Sequence, residues 1–290
     1  MSDWFLAHEP AVRLASFASV FAVMAAWETF APDRARRLNR LHRWPGNLAL
    51  VALSNLAVRV LFPIAAVGTA AWAQSRGFGL LPALGLPDAV AVLLAIVALD
   101  GAIWLQHVVS HRVPLLWRLH LVHHADLDLD VTSGTRFHPG EIVLSLLYKL
   151  LLVVALGPSP VAVLLFEVWL NAMAVFNHAN VALPGPIERV ARWLFVTPTV
   201  HRTHHSVIAS EGHANFGFNL VIWDRIFGTY VDQPRSPLVL GLPALQATPK
   251  GLGWLLALPL TIARDDTVLR PAAPTPRAPQ PERQSTPHPG

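Results

Sequence analysis

The chain contains no cysteine. That excludes disulfides, iron–sulfur clusters and thiolate metal sites. Charge is also scarce: 14% of the 290 residues are Asp, Glu, Lys or Arg, against about one quarter in soluble domains. Apolar residues make up 53%, and the mean hydropathy is +0.44. A chain so poor in charge is a membrane protein or a very buried one. No Rossmann glycine fingerprint, flavin motif or c-type haem attachment motif occurs. Neither Glu-x-x-His nor His-Glu-x-x-His is present. The net charge of +4 comes from arginines concentrated in loops, which suits lipid headgroups. No basic face beside a soluble fold supports nucleic-acid binding.

Long apolar runs cover 11–30, 47–73 and 89–109, each long enough to cross a bilayer. Two shorter runs, 142–156 and 161–175, flank Gly157-Pro158-Ser159-Pro160 and read as a hairpin dipping through or nearly through it. The first run lacks a basic leader and a small-residue cleavage site, so it reads as a retained helix. The loop after it carries Arg34, Arg36, Arg37, Arg40 and Arg43, which predicts a cytoplasmic loop and an outside N-terminus. The expected fold is all-α: an integral membrane helical bundle with a cytoplasmic-side, histidine-rich cap of short helices. Residues 1–110 are expected to hold the N-terminal membrane helices and 232–263 an amphipathic, interfacial segment. The proline-rich stretch 264–290 is expected to be a disordered tail.

Against this background eight histidines fall into three clusters: His107-x3-His111, His120-x2-His123-His124 and His201-x2-His204-His205. Spacings of three and four residues place side chains on one helix face. Each cluster then presents several imidazoles to one point. Neutral imidazole is a common ligand for first-row metals, and eight are too many for one ion but suit two. The bland alternative is helical histidines that face water or headgroups. Pro114 should end the helix carrying the first cluster, and Thr197-Pro198 reads as the N-cap and first residue of the helix carrying the third. His178 is a candidate further ligand, because its segment returns to the same layer. His138 is read as supporting the ligands, with direct ligation left open. His213, His8 and His42 read as non-ligands. Asp100, Asp126, Asp128, Asp130, Glu141 and Asp224 are candidates for orienting ligand imidazoles. Asp100 is an ionisable residue inside a membrane segment, with Arg59 as a candidate partner.

These clusters, with Arg136-Phe137-His138-Pro139-Gly140-Glu141, Phe176-Asn177-His178, Asn215-Phe216-Gly217-Phe218-Asn219 and Trp223-Asp224-Arg225-Ile226-Phe227-Gly228-Thr229, resemble the fatty acid hydroxylase/sterol desaturase superfamily. The resemblance runs over about 100–231 and is nearest to bacterial sterol desaturase family proteins. It implies a di-metal domain at 100–231 that holds two iron ions and uses O2 to hydroxylate or desaturate a lipid. It implies His107, His111, His120, His123, His124, His201, His204 and His205 as ligands, and His178 as the extra histidine of the family. Asp100 matches the family's aspartate seven residues before the first boxed histidine. Ile103 stands where a tyrosine is usual.

An oxygenase of this kind needs two electrons from outside. The missing redox motifs therefore imply a separate reductase and a ferredoxin- or cytochrome-type carrier. Arg112, Arg118, Arg136, Arg189, Arg192 and Arg202 are candidates to dock it, or express ordinary positive-inside bias. The expected location is a membrane, the inner membrane if the source is bacterial, with the metal site and C-terminus cytoplasmic. A zinc hydrolase is the competing enzyme reading; a catalytic zinc needs only three protein ligands. A metal transporter or store is the competing non-enzyme reading, and its ligands should line a membrane path.

Overall fold

The computed structural model describes residues 2–234, 237–246 and 251–262. The expected disordered tail, 264–290, lies outside the described residues. Among those described, every regular element is helical, with two isolated β-bridges, Phe195–Leu220 and Ser206–Leu240. The helices are α1 Ser2–Ala7, α2 Glu9–Phe30, α3 Arg40–Leu61, α4 Ala66–Ser75, α5 Leu80–Ala83, α6 Asp88–Arg112 and α7 Pro114–His124. They continue with α8 Pro139–Leu156, α9 Pro160–His178, α10 Gly185–Ala191, α11 Pro198–His204, α12 Ala209–Gly212, α13 Ile222–Ile226 and α14 Leu252–Thr261.

Five segments are long and apolar enough to cross a membrane: Glu9–Phe30, Arg40–Ala83, Asp88–Arg112, Pro139–Leu156 and Pro160–His178. Two features depart from the sequence reading. The run 47–73 is not one helix. Pro63 has no N–H to give and pushes Phe62 out of the helical region (φ −127°, ψ 90°), so α3 ends at Leu61 and α4 begins after the break. The pair 142–156 and 161–175 is not short. His138 caps α8 by accepting from Gly140 N, and α9 runs on through Asn177 to His178, so both reach spanning length. Between them Gly157 sits at φ +64°, and Phe78 O lies 2.3 Å from where its Cβ would be, a position only glycine fills.

Helix α2 packs on α9, α3 and α4 on α8, and α6 on α9 and α7. The contact of α2 is fixed by charge within the membrane layer. Glu167 of α9 accepts from Arg13 of α2 at 2.5 Å and from Lys149 of α8 at 2.5 Å, while Glu9 holds the other edge of Arg13 at 2.7 Å. These residues gave no signal as a cluster in sequence, since 154 positions separate Arg13 from Glu167. Helix α14 packs one face on the bundle: Leu255 and Leu258 lie with Leu50 of α3 and with Trp117 and Leu121 of α7, while Leu260 is exposed.

A second, buried charge network ties α3 to the loop after α7. Arg43 donates twice to Asp126, at 2.7 and 2.8 Å, and to Asp130 at 2.5 Å. Burial alone would raise the Asp126 carboxyl, but Arg43 and then Arg136 bring it down to about 2. Asp128 accepts from the backbone N–H groups of Arg37 and Leu38. All three aspartates therefore brace the loop beneath the histidines, and their hydrogen bonds are to these groups, not to imidazoles. Glu28 of α2 extends the brace, accepting from Arg40, Val131 N and Asn180 N.

Candidate metal centre

Pro114 ends α6 and starts α7, turning the chain so that His107 and His111 of α6 face His120 and His124 of α7. Thr197 caps α11 by accepting from Val200 N, with Pro198 at its first position, and this starts the helix that carries His201 and His204. The end of α9 adds His178. Nine histidines converge in two groups: His107, His111, His120, His124 and His204 in one, His123, His178, His201 and His205 in the other. Within each group the candidate ligand atoms lie within 4.8 Å of one another, and all nine residues are buried. The two His-x2-His-His motifs divide in opposite senses. That of α7 gives two rings to the first group and one to the second; that of α11 and its C-cap gives one and two. Stacked rings of His124 and His205, centroids 4.4 Å apart, join the groups.

Four of the nine outer nitrogens are anchored by groups that only accept. His107 Nδ1 donates to Phe216 O at 2.8 Å, His204 Nδ1 to Ala214 O at 2.6 Å, His178 Nδ1 to Ala174 O at 2.7 Å, and His120 Nδ1 to Glu141 Oε1 at 2.6 Å. Each bond fixes the Nε2 lone pair inward, the tautomer a metal ligand requires. The inward nitrogens crowd at 2.9–3.3 Å: His107–His120 at 3.0 Å, His107–His204 at 3.1 Å, His123–His178 at 3.1 Å, His178–His201 at 2.9 Å and His201–His205 at 3.3 Å. Lone pairs held that close repel. An ion with metal–nitrogen bonds of about 2.1 Å sets ligands at right angles about 3.0 Å apart, so the spacing fits an ion at the centre of each group. Both ring nitrogens of His111 are buried with no hydrogen-bond partner, as expected of a ring shaped to face an ion. Burial, then the neighbouring rings, holds His123, His124, His201 and His205 well below the ordinary imidazole value. His204 shifts the same way, against the opposing effect of the Ala214 carbonyl. In all five, burial favours the neutral form, the one that can ligate a metal.

The segment that holds His107 and His204 is itself pinned by carboxylates. Asp224 accepts from Phe216 N at 2.9 Å, Gly217 N at 2.8 Å, Trp104 Nε1 at 3.0 Å and Thr229 Oγ1 at 2.6 Å. Asn215 turns the chain at φ +54°, a conformation asparagine tolerates, and ties to Val200 O and Val231 O. Asp100 accepts from Asn219 Nδ2 and Trp223 Nε1, both at 2.8 Å. It pairs with neither Arg59 nor an imidazole: it faces the 216–224 segment from α6, and that segment fills its acceptor positions.

Other expected residues settle differently. His138 lies in neither group; it caps α8 and its Nε2 meets Leu256 O at 3.3 Å. His213 also stays outside, although its ring centroid is 5.4 Å from that of His111. Arg136 and Arg202 are buried, Arg136 on Val122 O and Arg202 against Asp33 and Val181 O, so neither reaches a docking carrier. The carbonyls of Ala174, Ala214 and Phe216 escaped the sequence reading, because a backbone acceptor leaves no trace in residue identity.

Residues 92–229 match the fatty acid hydroxylase family model. The chain is 35% identical over 158 residues to the ornithine lipid hydroxylase OlsE of Rhizobium tropici, covering 51% of this chain and 44% of that protein. It is 28% identical over 150 residues to alkylglycerol monooxygenase of Xenopus tropicalis, covering 50% and 31%. It is 25% identical over 146 residues to cholesterol 25-hydroxylase of Rattus norvegicus, covering 50% and 48%. The chain thus spans less than half the length of each of these relatives. No solved structure matches it. Residues 92–229, just under half of the chain and carrying every histidine of both groups, thus belong to the fatty acid hydroxylase family.

Proposed function

We propose that this chain is a membrane-bound, O2-dependent lipid hydroxylase whose nine clustered histidines hold two iron ions. The observation that carries the reading is the division into groups of five and four inward-facing imidazoles, buried where the membrane-length helices α6 and α9 meet the short helices α7 and α11. Five and four ligands leave open positions on six-coordinate ions. Bound and reduced, such a pair supplies the activation of O2 that places one oxygen atom in a C–H bond and releases the other as water.

The chain's own residues do the positioning. Phe216 O, Ala214 O and Ala174 O hold His107, His204 and His178 in the ligand tautomer, and Glu141 does so for His120 while adding negative charge beside a neutral ligand set. The brace of Arg43 with Asp126 and Asp130 ties the loop that follows His123 and His124 to α3. Between hydroxylation and desaturation, the names of the three relatives, each a hydroxylase or monooxygenase, favour hydroxylation. Electrons come from a separate ferredoxin- or cytochrome-type carrier. Arg112 and Arg189, which are exposed, remain available to meet it. The arginine-rich loop supports a cytoplasmic metal site.

The test is elemental analysis of the purified protein together with lipid mass spectrometry of cells with and without the active gene, grown under 18O2. Two irons per chain and one 18O gained by a lipid class are expected. A protein that binds metal yet leaves every lipid unlabelled would overturn the reading, as would turnover that persists without O2.

A further inference from the structure

A cavity of about 210 Å3 lies between α6, α7 and α8 and borders the five-histidine group through Glu141. Leu105 and Gln106 of α6, Leu119 of α7, and Glu141, Leu144 and Tyr148 of α8 line it. Its mouth is apolar and open: Leu105 is 48% and Leu144 44% exposed, on helices of membrane-spanning length. In a bilayer those side chains face acyl chains, not water. The opposite end closes on Glu141, one 2.6 Å hydrogen bond from His120. The cavity thus connects lipid to the partner of a candidate ligand.

Two of its polar side chains, Gln106 and Tyr148, are committed to the wall, while Glu141 keeps one buried oxygen without a partner. Ser145 Oγ, on the same face of α8, bonds Gln106 Oε1 at 3.2 Å, and the Tyr148 hydroxyl donates to Ala102 O at 3.2 Å. These bonds stitch α8 to α6 and leave apolar side chains to meet an occupant. From Glu141 to Tyr148 is two turns of α8, about 10 Å. Such a cleft matches a stretch of methylene chain and offers little to a charged headgroup.

We propose that this cleft seats the apolar chain of a membrane lipid, and that Tyr148, two turns of α8 away from Glu141, sets which carbon is presented to the histidine groups. The inference rests on the lipid-hydroxylase reading and adds the place where the chain lies and the residue that selects the position of attack.

The test uses the full chain in phosphatidylcholine nanodiscs doped with a phosphatidylcholine whose acyl chain bears a diazirine. After irradiation, labelled residues are mapped by mass spectrometry and bound metal is measured on the same samples. Labelling should concentrate on the α6 and α8 residues of the cleft, above that of Leu56 and Val60, which are exposed on α3. Leu144→Trp and Leu105→Trp, which fill the mouth, should each cut cleft labelling by about tenfold, or roughly 1.4 kcal/mol, with metal content unchanged. Tyr148→Leu lengthens the cleft and should move the oxidised carbon along the product chain. Cleft labelling no higher than that of Leu56 and Val60 would overturn the proposal, and this readout on the parent protein stands even where a tryptophan variant fails to fold. Tryptophan variants labelled like the parent would overturn it too. Cleft labelling in a protein that binds no metal would keep the lipid seat and remove the hydroxylase reading instead.

Discussion

Asp224 accepts the backbone N–H of Phe216 at 2.9 Å, and the carbonyl of that same Phe216 takes the Nδ1 proton of His107 at 2.8 Å. One peptide unit on each side of Phe216 therefore transmits the position of a buried carboxylate to an imidazole on another helix. Burial raises the Asp224 carboxyl, and its four donors oppose that rise. Asp224→Asn removes the charge and turns one acceptor into a donor facing N–H groups. Metal affinity of the five-histidine group is expected to fall by about 10–100-fold, measured by competition with a chelator. Unchanged affinity would show that Phe216 is held without Asp224.

His138 offers a contrast. Its ring caps α8 and touches neither histidine group. His138→Ala is expected to cost about 1 kcal/mol of stability while leaving bound metal per chain intact. Metal loss in that variant, read by elemental analysis, would return His138 to the metal centre.

Substitution of the paired histidines separates the two groups only in part. His204→Ala removes a ring from the first group and His205→Ala one from the second. Each is expected to lower metal content and abolish O2-dependent turnover, because water cannot restore a ligand nitrogen at the same place. A His204→Ala protein with full metal and full turnover would be incompatible with the site.

The pH dependence follows from the neutral imidazoles. His123, His124, His201, His204 and His205 are held below their ordinary value when folded, so the unfolded chain binds more protons as pH falls through about 6.5. Stability of the metal-free protein should be complete above that pH and decline below it. Thermal unfolding of metal-free protein between pH 8 and pH 5 (about the range over which imidazole titrates) checks this. A midpoint that rises on acidification would contradict it.

The intramembrane charges make a separate case. Glu167→Gln removes the charge shared by Arg13 and Lys149 and turns one of its two acceptor oxygens into a donor facing a cation, and should destabilise the fold by about 3–5 kcal/mol. Combined replacement by Arg13→Leu, Lys149→Leu and Glu167→Leu should recover much of that loss. Denaturation in detergent that shows the triple variant no better than the single one would mean the cluster does more than join α2, α8 and α9.

What was readable in the sequence followed from local spacing. The three histidine clusters, the break at Pro114 and the cap at Thr197 depend on residues within one turn of each other, and all three stand where expected. His178 was readable because its segment heads back to the layer of the clusters, although the run 161–175 understated the length of the helix that carries it. The partners of Asp100 were not, since Asn219 and Trp223 lie 119 and 123 positions away, and only the folded 215–229 segment brings them to α6. Asp126, Asp128 and Asp130 misled for a related reason: proximity in sequence to His123 and His124 suggested contact, whereas Arg43 and the backbone after α2 claim their oxygens. The helix break at Phe62 turned on one proline inside an otherwise uniform apolar run.

Each His-His dipeptide sends its first ring to one group and its second to the other: His123 and His124 part in this way, as do His204 and His205. Neighbouring residues on one backbone cannot adjust independently. Whatever fixes His124 also fixes His123, and the stacked rings of His124 and His205 carry the constraint across to α11. Filling one group therefore lowers the ordering cost of filling the other. Metal uptake should be cooperative, passing from empty to doubly loaded chains with few singly loaded ones between, and the half-loaded protein should be the scarcest species in a titration.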